Sequence, residues 1–217
     1  MKSSQKPERM KTVLCYGDSN TWGYDPETRS RYPLNVRWTG VLADRLGPDY
    51  HVIEEGLNGR TTRWDDPMEP GRNGLIHLRP CVESHEPLDL IIIMLGTNDL
   101  KPRFNLAASD IAQSAAALAE EARRLASTAD GSPATVLLVA PPVTTNLTDF
   151  DQLFAGALEK SRQLSHYYRL FAGRRNVPFF DAGSEIVSSE KDGIHFDTEE
   201  HRKLGEALAG EVRRLIG

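Results

Sequence analysis

Leu88–Asp99 reads LDLIIIMLGTND, an apolar run that stops abruptly at glycine, threonine, asparagine and aspartate. Leu90–Leu95 contains no polar residue, so no alternation separates a wet face from a dry one. That is the pattern of a strand covered on both faces, as parallel sheets require. Four further runs are of the same kind: Thr12–Tyr16, His51–Glu54, Thr135–Ala140 and Val177–Phe180. Helical periods lie between them. Trp38, Val41, Leu42 and Leu46 share one face, and Ile111, Ala115, Leu118, Ala122 and Leu125 share another. Leu153, Phe154, Leu158, Leu164 and Phe171 trace a third, less regular helix. Leu204, Leu208, Val212 and Leu215 form the last stripe, with Asp197 and Glu200 placed ahead of it as N-cap and N3. Strands alternating with helices imply an α/β domain of three layers, α/β/α, around a parallel sheet. The domain is expected over residues 11–217, behind a flexible N-terminal arm at 1–10.

Composition narrows the function. The chain has 217 residues, 39% hydrophobic and 26% charged, enough for one domain with its own core. The net charge is −5, without a basic block, so nucleic acid is not an expected partner. No apolar run approaches the ~18 residues of a membrane span. Only Val13–Tyr16 follows the basic start as an apolar stretch, too short for the ~7–15-residue core of a signal peptide. The chain is therefore read as cytoplasmic and not membrane-bound. Cys15 and Cys81 form no CxxC and no Cys/His cluster, so they are read as two buried, reduced thiols.

One segment breaks the alternation. Arg60–Pro87 holds four prolines and two glycines and predicts at most a short helix near Pro80–His85. A segment this long is usually functional or interfacial.

Ligands of open parallel sheets sit beyond the carboxyl ends of the strands. Gly17, Asp18 and Ser19 follow the first strand, Asn58 and Gly59 the second, and Gly96, Thr97, Asn98 and Asp99 the third. The fourth runs into Pro141–Pro142, and the fifth leads through Asp181 to Asp192 and His195. Small and polar residues thus converge at one end of the sheet. Ser19, at a strand-to-helix turn, is a nucleophile or merely a helix cap. Among the six histidines, only His195 both follows the last strand and has a carboxylate three residues before it. An acid so placed can orient the imidazole as a base. Gly59 offers an unhindered backbone N–H and Asn98 an amide donor, the groups an oxyanion hole needs. Ser19, Gly59, Asn98 and His195 together make a complete acyl-transfer site. No G-x-G-x-x-G follows the first strand, no phosphate-binding G-x-x-x-x-G-K-[ST] occurs, and Thr21 stands where G-x-S-x-G needs its second glycine.

At these residues the chain resembles the SGNH (GDSL-type) hydrolases, named for their Ser, Gly, Asn and His. The matching blocks are Gly17-Asp18-Ser19-Asn20, Asn58-Gly59, Gly96-Thr97-Asn98-Asp99 and Asp192-Gly193-Ile194-His195. Asn20 departs from the family's Leu at a position that is not catalytic. TWGYDP, RWTGVLADRLG, VIEEGL, RTT and DGIHF carry a finer likeness to the small bacterial arylesterase/acetylesterase branch, some of whose members also transfer acyl groups to alcohols.

The resemblance implies a flavodoxin-like sheet of about five parallel strands, the SGNH-hydrolase fold. It implies a serine esterase acting on short acyl esters, with no metal and no cofactor. Ser19, Asp192 and His195 would be catalytic, and Ser19, Gly59 and Asn98 would form the oxyanion hole. Asp18, Trp22, Trp64 and Ile194 are candidate substrate contacts. A homo-oligomer is expected in which Arg60–Pro87 packs on a neighbour and narrows the entrance; a lid folded over its own subunit is the alternative. Two other classes compete with the esterase reading. One is a metal-dependent phosphoesterase using Asp18, Asn98, Asp99, Asp192 and His195, which EDTA would inhibit. The other is a non-catalytic binding module, which would leave p-nitrophenyl acetate intact.

Overall fold

The computed structural model describes residues 9–217, so most of the arm expected at 1–10 lies outside the described residues. Five parallel strands form its sheet: β1 (Lys11–Gly17), β2 (Tyr50–Gly56), β3 (Leu90–Met94), β4 (Thr135–Ala140) and β5 (Phe179–Asp181). Their order, β2-β1-β3-β4-β5, is that of flavodoxin-like sheets. Every residue of β3 is buried, as its unbroken apolar run requires. Burial of each isoleucine there contributes about 1.5–3 kcal/mol.

Side chains alternate between two cores. Leu14, Tyr16, Ile91, Ile93 and Leu138 meet helices α3 (Gly74–His85), α4 (Ala108–Leu125) and α5 (Ala157–Arg175). Val13, Cys15, Ile92, Met94 and Val139 meet α2 (Trp38–Leu46) and α6 (Thr198–Ile216) on the other face. The sequence stripes turn inward as expected: Ile111, Ala115, Leu118 and Ala122 on α4, and Leu204, Leu208 and Val212 on α6. A short helix, α1 (Ser19–Trp22), caps the end of β1. No helix among the described residues is long and apolar enough to cross a membrane.

Four local expectations need correction. First, α3 runs for 12 residues, with Pro80 inside it. A mid-helix proline costs about 3 kcal/mol, but burial of Leu78 and Val82 and the cap from Asn73 to the Leu75 and Ile76 N–H groups outweigh it. Leu75 and Leu78 therefore pack on the core, leaving Met68 and Ile76 exposed. Second, α5 begins at Ala157, so Leu153 and Phe154 lie in the turn before it. Third, Asp197 stands at the N-cap of α6 without a side-chain cap bond, and Glu200 instead accepts from Val187 N at 3.0 Å and Lys203 Nζ at 2.8 Å. Fourth, Cys15 is buried, whereas Cys81 is only partly so.

Candidate active site

All four strands that end in polar sequence deliver those residues to one edge of the sheet. Beyond β1, Asp18 caps α1 by accepting from Asn20 N at 3.0 Å, which sets Ser19 at the first helical position. Packing is tight here. A Cβ on Gly56 would come within 2.1 Å of Trp22 N, so only glycine at the end of β2 lets α1 lie across it. The Asn20 amide donates to Ile194 O at 3.3 Å and ties the Ser19 turn to the loop carrying His195. The departure from the family motif at Asn20 thus has a structural use that the sequence did not disclose.

The turn after β2 is strapped from three sides. Arg60 is 5% exposed; its Nη1 donates to Gly17 O at 2.8 Å and to Glu55 O, and its guanidinium lies 4.0 Å over the Tyr16 ring. Asn98 Nδ2 donates to Arg60 O at 3.2 Å. Asp99 accepts from Thr62 N at 3.0 Å and from the Thr62 hydroxyl. Gly59 sits between these ties at φ +79°, a left-handed backbone that favours glycine. The N–H groups of Ser19 and Gly59 have no acceptor among the described residues.

Ser19 Oγ lies 2.9 Å from His195 Nε2, and His195 Nδ1 lies 2.6 Å from Asp192 Oδ2. The carboxylate fixes the tautomer: Nδ1–H donates to Asp192, which leaves Nε2 to accept from the Ser19 hydroxyl. Asp192 Oδ1 accepts from the Ile194 and His195 N–H groups, both at 2.9 Å. Burial alone would lift the Asp192 pKa, but the His195 hydrogen bond and charge and these two amides hold it below the usual carboxylate range. Tyr24 lies against the imidazole at 4.2 Å between ring centroids, and Phe150 meets it edge-on at 6.0 Å. Ser19 and His195 are only 8% and 6% exposed.

These groups open onto one cavity of about 260 Å³. Ser19, Asn58, Gly59, Asn98, Ile194 and His195 line its floor. Phe150, Leu153 and Phe154 supply an apolar wall, and Glu69 and Lys101 a charged one. Lys101 is 2% exposed and pairs with Glu69 at 3.2 Å and Asp66 at 3.5 Å. The Arg60–Pro87 segment therefore reaches the cavity at Glu69.

The cavity gathers Ser19, Gly59, Asn98, Ile194 and His195, with Asp192 behind the imidazole. It does not gather all the expected contacts. Asp18 is buried beneath the site, and burial pushes its carboxyl up to about 6 against the Asn20 amide and the His195 and Arg60 charges. Trp22 turns away: Arg31 lies 5.1 Å over its ring. Trp64 lines a different depression, beside Leu106 and Ser114. Sequence reasoning missed Tyr24, Glu69, Lys101 and Phe150, and read Leu153 and Phe154 only as a helix stripe. One signal was available for Phe150, Leu153 and Phe154, because residues 141–156 follow the carboxyl end of β4.

The comparisons bear on the family and the fold. The profile of the GDSL-like lipase/acylhydrolase family matches residues 15–203. The native aryl esterase of M. smegmatis is 44% identical, with a TM-score of 0.87 over 95% of this chain and 100% of its own. A carbohydrate acetylesterase family member from Sinorhizobium meliloti is 40% identical, with a TM-score of 0.90 over 96% of this chain and 100% of its own. No curated protein matches the chain. With the family's profile spanning most of its length and its blocks converging on one cavity, the chain belongs to the GDSL-like lipase/acylhydrolase family and is a carboxylic ester hydrolase.

Proposed function

We propose that the chain cleaves short-chain acyl esters, acetyl or aryl, through an acyl-enzyme on Ser19. The hydrogen-bonded run from Ser19 Oγ through His195 to Asp192 carries the reading. His195 Nε2 takes the Ser19 proton as Oγ attacks the carbonyl carbon, and Asp192 stabilises the imidazolium that forms. The developing oxyanion is met by the Ser19 and Gly59 N–H groups and the Asn98 amide. The imidazolium then protonates the leaving alcohol. Water, activated by the same imidazole, releases the acid; an alcohol in its place gives acyl transfer. A metal-dependent phosphoesterase fits less well. Asp192 already accepts from two backbone amides and His195, and Asp99 from Thr62.

Ligand cavities usually run from about 300 to 1,000 Å³, so 260 Å³ supports a small acyl group. Its apolar lining, Ile194, Phe150, Leu153 and Phe154, suits a methyl or aryl group. Two of the related structures are an aryl esterase and a carbohydrate acetylesterase, so small aryl esters and acetylated sugars are the first substrates to try. On a series of p-nitrophenyl esters, kcat/KM should fall steeply from acetyl to dodecanoyl. Equal rates across the series would remove the restricted entrance.

We also infer a homo-oligomer. Met68 is 74% exposed and Ile76 60%, both on the Arg60–Pro87 segment whose Glu69 reaches the cavity. Exposed apolar side chains on one segment favour burial against another surface, and a second copy supplies it with closed symmetry. Light scattering on the size-exclusion peak should give a multiple of 24.2 kDa at micromolar concentration. A monomer would overturn this.

A further inference from the structure

Outside the active site, Cys81 and His85 stand one turn apart on α3, and therefore on the same helix face. Glu55, from the edge strand β2, reaches the same spot. His85 Nε2 lies 2.8 Å from Glu55 Oε1, and one donor atom from each of the three residues lies within 4.8 Å of the others. The esterase chemistry uses none of them.

We propose that Glu55, Cys81 and His85 form a binding site for a divalent zinc-like cation, with a fourth position open to water. The donor set selects the metal. A thiolate, an imidazole and a carboxylate suit Zn²⁺, whereas Ca²⁺ and Mg²⁺ want oxygen alone. Zinc–ligand bonds of about 2.0–2.3 Å place tetrahedral ligands roughly 3.3–3.8 Å apart. The three donors therefore need only small side-chain rotations to close on an ion. Charge balances too, since one carboxylate and one thiolate neutralise the dication. Access is open from the sheet edge, where the Glu55 and His85 side chains are 33% and 28% exposed.

The neighbouring polar groups do not compete for the trio. Tyr16 OH donates to Gly74 O at 2.7 Å, and Arg60 Nη1 is committed to the carbonyls of Gly17 and Glu55. The Arg60 charge acts on Cys81. It opposes a second positive charge but also favours the thiolate. Without metal the Cys81 thiol is pushed up to about 12, by burial first and then by Glu55, and stays protonated. Binding must therefore release that proton: the S–H bond breaks, the sulfur–metal bond forms, and the proton goes to buffer. Affinity should rise with pH.

Cobalt(II), added alone to chelator-treated protein, is the probe. One equivalent should give a thiolate-to-metal charge-transfer band that zinc abolishes by displacement. Cys81→Ser should lose the band, and His85→Ala should weaken binding by about tenfold or more. Ester hydrolysis and melting temperature without metal should stay unchanged in Cys81→Ser. Absence of the band in the wild type leaves only a Glu55–His85 hydrogen bond and overturns the site. A band that survives Cys81→Ser assigns the sulfur to Cys15, buried on the other face of the sheet, and also overturns it. Should Cys81→Ser fail to fold, Glu55→Gln, which keeps size and shape, must show the weakened binding instead.

Discussion

Ser19→Ala and His195→Ala should each lower kcat on p-nitrophenyl acetate by up to about 10⁶-fold, and the double variant should be no slower than either single one. The expectation rests on the proposed route, in which the two side chains, joined at 2.9 Å, act as one unit. Without Ser19 Oγ there is no atom to carry the acyl group. Without His195 the hydroxyl keeps its proton and is a poor nucleophile. Ser19→Ala removes only a hydroxyl. Ser19 faces the cavity, and α1 keeps its cap because Asp18, not Ser19, accepts the Asn20 N–H. His195→Ala opens space beside Tyr24 and Phe150 and leaves Asp192 Oδ2 without its imidazole partner, so the melting temperature should fall while the fold is retained. Steady-state rates paired with melting curves check both claims. A folded Ser19→Ala that keeps more than about a tenth of wild-type activity would overturn the covalent route.

The sequence disclosed those parts that local pattern controls. LDLIIIMLGTND announced both a doubly covered strand and the polar turn after it, because burial on two faces leaves no other composition for β3. The amphipathic stripes of α4 and α6 were equally plain. What failed depended on tertiary compensation. Pro80 argues against a helix until Leu78 and Val82 are seen to bury against the sheet. Asp197 and Glu200 have cap spacing, but Lys191 and Val187 draw their carboxylates elsewhere.

The site divides in the same way. Its floor lies next to strand ends, where topology fixes position, and so Ser19, Gly59, Asn98 and His195 were legible. Its walls come from loops whose path no local rule sets. Tyr24 and Phe150 reach the imidazole, and Glu69 crosses to Lys101, by chain folding alone. Trp22 shows the converse error. Nearness in sequence to Ser19 does not fix side-chain direction, and Arg31 holds the indole outside the cavity. The Glu55, Cys81 and His85 group was invisible because two elements separated in the chain had to meet first.

Asn98→Ala carries the second largest effect, a loss of about 10²–10³-fold in kcat, since one oxyanion donor is worth roughly 3–4 kcal/mol. A primary amide has two N–H donors. One of them is spent on Arg60 O at 3.2 Å, which fixes the side chain's plane. The same residue lines the cavity beside Ser19 and Gly59, so its second N–H is free to face the carbonyl oxygen as charge develops there. The interaction strengthens only as that oxygen becomes an anion, so the loss should fall on kcat while KM stays within a few fold. Alanine also leaves Arg60 O without a partner, at about 1–3 kcal/mol of stability. The melting temperature must therefore be read alongside the rate. Asn98→Asp separates the two roles further: it keeps the shape but presents oxygens where donors are needed, and should be slower than alanine. A loss confined to KM in folded Asn98→Ala would make Asn98 an ordinary substrate contact and leave Ser19 and Gly59 as the only oxyanion donors.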